Sequence, residues 1–131
     1  MNNKNIKNLS PIILRFGLAI VFIWFGTNQI INQAEWVYLI PQSILSITGL
    51  TASTVVLING VFEIIMAALL ACGIQIRIVA ILLSLHLLMI IGDVGINAIG
   101  IRDIGLLFGM VSVALHGGDM YSYDKEYIIL E

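Results

Sequence analysis

Glu63 lies inside an apolar run, residues 54–72, with Asn59 four positions earlier and hence on the same helical face. A carboxylate at the centre of a bilayer costs about 2.5 to 3.5 kcal/mol even on lenient scales, so such a group is expected to be paired or functional and to face other helices. At a rise of 1.5 Å per residue, Glu63 falls about 15 Å from one end of its run. His86 in the next run falls about 18 Å from the opposite end, so both sit near mid-depth. Histidine changes charge near neutrality, and a carboxylate removed from water holds its proton more firmly. The two form a candidate proton-handling or ligand-binding pair at the floor of a cavity. The plainer reading has Glu63 neutral or paired with Arg15 or Arg102, tying helices together with no turnover.

Other polar residues gather in the same half of the membrane: Asn28, Gln29, Asn32, Asp93, Asn97, Arg102 and Asp103. Arg102 and Asp103 join Glu63, His86 and Asn59 as candidates for ligand or proton handling, although Asp103 would serve equally as a dipole partner at a helix start. Arg15 and Arg77 read as charge-pairing or lipid-anchoring residues, with snorkelling a sufficient account of Arg15. His116 and Asp119 supply two ligands where a metal site needs three or four, so no metal is expected. Neither a haem pair nor a CxxC, HExxH, P-loop or GxGxxG pattern occurs, and no cofactor is evident. Cys72 reads as a small packing residue, as do Gly60, Ala67, Ala68 and Ala71.

The elements that must position these groups follow from composition. Of 131 residues, 60% are hydrophobic and 11% charged, against about 25% charged in soluble domains, and mean hydropathy is +1.04. That is the composition of an integral membrane protein with one domain, no soluble catalytic module and no nucleic-acid partner. Four spans are expected, at about residues 11–31, 53–72, 74–91 and 99–115, in an all-α antiparallel bundle. Ser10 and Pro11 suit a helix start, and Gly73, Gly92 and Gly117 suit helix ends. The first span has a basic preface like that of a secretory signal but no small-residue cleavage pattern, so it reads as uncleaved. Residues 32–52, with Trp36, Tyr38, Pro41 and a short apolar stretch, read as an interfacial or re-entrant segment that could lid the bundle. Gly105 and Gly109 form a GxxxG pair suited to close packing. Lys4, Lys7, Arg15, Arg77 and Lys125 fall on one side of the membrane and Arg102 on the other, which places both termini, with a tail at 119–131, in the cytoplasm of a multi-pass cell-membrane protein.

These residues also carry a resemblance. Leu14, Arg15, Gly17 and Phe22 to Gly26, then Gly60 and Glu63, then Leu69, Leu70, Gly73 and Arg77, and finally Arg102 to Leu106 resemble the pattern of the DoxX/DoxD family of small four-helix membrane proteins, over roughly residues 14–115. One departure stands out: members often carry a lysine where this chain has Gln29, so any anion-binding or acid-pairing role of that lysine is lost or moved here. The resemblance implies a membrane subunit associated with redox complexes, including thiosulfate-to-quinone electron transfer and quinol oxidation. The leading expectation is therefore an accessory subunit of a respiratory or redox complex, embedded in lipid beside other redox subunits or copies of itself. Quinone is the ligand this reading admits, with Glu63 and His86 as its polar partners. A small transporter using the polar cavity and a purely structural subunit packing through Gly105 and Gly109 are the alternatives.

Overall fold

The computed structural model describes residues 3–123. Lys125 of the charge count, and Tyr127 and residues 128–130 of the expected tail, lie outside the described residues. Five α-helices follow one another: α1 (Asn3–Ile31), α2 (Gln42–Thr48), α3 (Ala52–Cys72), α4 (Ile76–Val94) and α5 (Ala98–His116). Among them α1, α3, α4 and α5 are long and apolar enough to cross a membrane. They form an all-α four-helix bundle in which α1 packs mainly along α3 and α4 along α5, and lighter α3–α4 and α1–α5 contacts close the ring. The short turns at residues 73–75 and 95–97 make α3, α4 and α5 run up and down, whereas α1 joins α3 through the longer segment that holds α2.

Local chemistry sets the ends. Thr51 caps α3 by accepting from the Thr54 N–H, and Asn97 caps α5 by accepting from Ile99 and Gly100. Gly73 ends α3 at φ 72°, and Gln75 at φ 49° completes the tight turn into α4. Two sequence expectations are corrected. Helix α1 begins at least as early as Asn3, so Ser10 is no N-cap and Pro11 lies inside the helix. Pro11 withholds one N–H from the Lys7 carbonyl, a loss placed near the edge of the apolar stretch that starts at Ile6. Likewise α4 runs through Gly92 to Val94 and is capped by Gly95, whose φ of 77° with ψ of −164° is a conformation open essentially to glycine alone.

Helices α1 and α3 approach closely at Gly26 and Gly60. A Cβ on Gly26 would stand 2.6 Å from the Gly60 carbonyl oxygen, and one on Gly60 would stand 2.8 Å from that of Gly26. The expected GxxxG pair divides: Gly109 faces Leu18, whereas Gly105 has nothing within 4 Å and points outward. In lipid, packing of this kind rather than apolar burial holds helices together. Leu18, Ala19, Phe22, Ala67, Leu70, Val79, Leu83, Met110 and Val113 fill the interior toward the end where α1 begins, the proximal end. Ile13, Ile20, Trp24, Leu85, Met89, Phe108 and Leu115 cover the outside with apolar surface, as a bilayer requires.

Candidate functional site

Toward the distal end the interior opens into a cavity of about 210 Å³ bordered by all four spans and the α1–α2 connection. Two 3₁₀ turns, Gln33–Glu35 and Val37–Leu39, lead into α2, and Trp36, Leu39, Ile40, Pro41 and Ile44 of this segment border the cavity. Trp36 is held there: its Nε1–H donates to Asn28 Oδ1 at 2.8 Å and its ring meets Phe25 edge-on. At seven residues, α2 spans about 10 Å and cannot cross a bilayer.

Glu63 forms the floor and is 3% exposed. Gln29 Nε2 donates to its Oε2 at 3.0 Å, Asn59 Nδ2 to its Oε1 at 3.2 Å, and His86 Nε2 lies 3.0 Å from the same Oε1. Asn59 Nδ2 also donates to Gln29 Oε1 at 2.7 Å, which closes a ring of polar contacts between α1 and α3. The Phe62 ring packs 5.1 Å from the His86 ring. Two amide donors thus aim at a carboxylate whose remaining neighbour, His86, can give or take a proton.

At the mouth, Arg102 Nε donates to Asp103 Oδ1 at 2.8 Å and Nη2 lies 2.7 Å from the same oxygen. The guanidinium also stacks 4.4 Å over the Phe25 ring. Asp103 is buried as a residue, and among the described residues only its Oδ1 is engaged, by Arg102. Three carboxyl groups, Glu63, Asp93 and Asp103, line the cavity against one guanidinium, Arg102, an acceptor-rich lining that favours a hydrogen-bond-donating or cationic occupant over an anion. Phe22, Phe25, Val55, Val56, Leu87 and Leu106 supply apolar walls.

The structure therefore brings Glu63, His86 and Asn59 into direct contact and sets Arg102 and Asp103 at the entrance of the same cavity. Arg15 and Arg77 stand elsewhere. Arg15 faces the bundle interior, 1% exposed, rather than lipid: it pairs with Asp119 and donates to the Leu70 and Ala71 carbonyls. Arg77 is exposed and lies over Gly117. Gln29, which the sequence marks as a departure from the family pattern, is a buried partner of Glu63 and gives it a hydrogen bond without a charge. Among the described residues no group of three or more His, Cys, Asp or Glu side chains is placed to hold a metal ion.

Four apolar membrane-spanning helices around a half-polar cavity define a multi-pass integral membrane protein. The DoxX family model matches residues 10–96, more than half of the chain. The chain belongs to the DoxX family. The matched part ends before α5, which supplies Arg102 and Asp103. No curated protein and no solved structure matches the chain.

Proposed function

We propose that this DoxX-family protein is an accessory subunit of a membrane redox complex and that its distal cavity receives the ring of a quinone or quinol. The observation that carries this reading is the combination of an apolar-walled hollow with a hydrogen-bonded carboxylate–imidazole pair at its floor. About 150 Å³ suffices for one benzene-sized guest, so about 210 Å³ suits a single substituted ring, with any long tail left in lipid. Glu63, His86 and Oδ2 of Asp103 are acceptors matched to ring hydroxyls, while Phe22, Val56 and Leu87 flank the ring faces. When bound, a quinone would supply two-electron, two-proton redox chemistry. The residues of this chain orient it, exclude water beneath Trp36, and hold a proton at Glu63 or His86. Gln29 and Asn59 keep the carboxylate fixed as the proton is taken up or released.

The basic-residue asymmetry supports a reading with both termini in the cytoplasm and the cavity mouth on the opposite side of the cell membrane. A transport reading would draw on the same cavity, but α1, α3, α4 and α5 run without an unwound segment, and unwound helices are the usual mark of a transported-ion site.

The test is purification in mild detergent at native expression level, with extraction of bound quinone and mass spectrometry of accompanying chains. Quinone or an oxidoreductase subunit that comes with the wild type and is reduced in Glu63→Gln is the expected result. A ligand-free homo-oligomer would overturn it.

A further inference from the structure

At the proximal end, remote from the Glu63 cavity, α1 and α5 border a second hollow of about 220 Å³ lined by Lys7, Ser10, Arg15, Ser112, His116 and Asp119. Lys7 and Ser10 are three residues apart on α1, and Ser112 and His116 four apart on α5, so each pair shares a helix face. Among the described residues none of these four side chains has a hydrogen-bond or ion-pair partner. Arg15 is mostly committed: its Nε, Nη1 and Nη2 groups reach Asp119 and the Leu70 and Ala71 carbonyls, which leaves one of the five guanidinium N–H groups. Lys7 and Arg15 against Asp119 give the hollow a net positive charge before His116 contributes. An ammonium, an imidazole and two hydroxyls around a small hollow are the donor set that a phosphate group takes. Lys7 also lies one residue past Ile6, where the apolar span begins, at the depth of lipid headgroups.

We propose that this groove binds a phosphate group, supplied by an anionic phospholipid headgroup. Lys7 provides the charge, Ser10 and Ser112 the hydroxyl donors, and His116 a further donor from α5. Bound there, the lipid would bridge α1 and α5, a lightly packed pair in the bundle. The site is independent of the cavity around Glu63.

The experiment uses the full chain in mild detergent, titrated with phosphatidylglycerol or phosphatidylcholine and read by native mass spectrometry, with thermal unfolding in inorganic phosphate in parallel. The wild type should retain phosphatidylglycerol over phosphatidylcholine, and Lys7→Gln should lower that retention about fivefold. Ser112→Leu, which fills the groove without changing charge, should lower it as well, and so separates a site from general surface attraction. Stabilisation by inorganic phosphate that Lys7→Gln abolishes, without any lipid preference, would keep the site and overturn the lipid as its ligand. Equal retention of both lipids with no phosphate response, or retention unchanged in both variants, overturns the proposal.

Discussion

Arg15 Nε donates to Asp119 Oδ2 at 2.6 Å, joining the first span to the segment that follows the last. The same guanidinium gives Nη1–H bonds to the carbonyl oxygens of Leu70 at 2.6 Å and Ala71 at 2.7 Å. Those carbonyls belong to the last turn of α3, where the Leu70 oxygen also accepts from the Gly73 N–H at 3.2 Å, and the negative end of the helix dipole favours a cation there. One buried side chain thus ties α1, α3 and residue 119 together.

Asp119→Asn leaves that guanidinium buried without its counter-charge. A loss of about 3 to 5 kcal/mol in stability is expected, as for other broken buried pairs, read as a lowered unfolding temperature in detergent. A change under about 1 kcal/mol would mean that the Leu70 and Ala71 carbonyls suffice for Arg15.

Glu63→Gln keeps the size of the side chain but puts an amide N–H₂ among the Gln29 and Asn59 donors. One buried donor then lacks an acceptor, at a cost of about 1 to 3 kcal/mol. Denaturation of the purified variant measures this. Wild-type stability would show that the ring of contacts rearranges around a neutral group, and would separate any loss of quinone retention from a loss of fold.

Gly26→Ala drives a methyl into the Gly60 carbonyl, and Gly60→Ala does the reverse. Each should cost about 1 to 3 kcal/mol through forced backbone separation. Gly105→Ala, with open space around it, should change stability by less than about 0.5 kcal/mol. The opposite ranking in a thermal series would return the structural role to the GxxxG pair of α5.

Trp36→Ala removes the Asn28 hydrogen bond and the Phe25 contact that hold the connecting segment over the cavity. In a Cys72→Ala background, a cysteine at Val55 should react several-fold faster with a water-soluble maleimide once Trp36 is truncated. An unchanged rate would show that Leu39, Ile40 and Pro41 close the cavity without the indole.

The membrane bundle was legible because long apolar runs separated by glycine or polar turns allow few other folds. The Glu63 floor was legible in part: four-residue spacing puts Asn59 beside Glu63, and counting depth brings His86 to the same level. Gln29 was missed as a partner because a neutral amide near a helix end carries little signal. Of the two readings of Arg15, the structure has charge pairing and not lipid anchoring, and Leu18, Ala19, Phe22, Gly26 and Gln29, which repeat at helical spacing from it, mark its face as the packed one. Asp119 lies beyond α5 in irregular chain, where no periodicity indicates a direction.

The Arg15–Asp119 bond also bears on how the protein is made. Synthesis proceeds from the N-terminus, so Arg15 enters the membrane long before its carboxylate exists. The Leu70 and Ala71 carbonyls reach it when α3 is in place, yet the charge stays uncompensated until residue 119 emerges. A nascent chain halted just after α5 would hold that guanidinium among helices with its carbonyl acceptors but without its counter-charge. Charge neutralisation of the buried Arg15 is thereby the last tertiary contact of α1 to be completed, made only when the segment after α5 arrives.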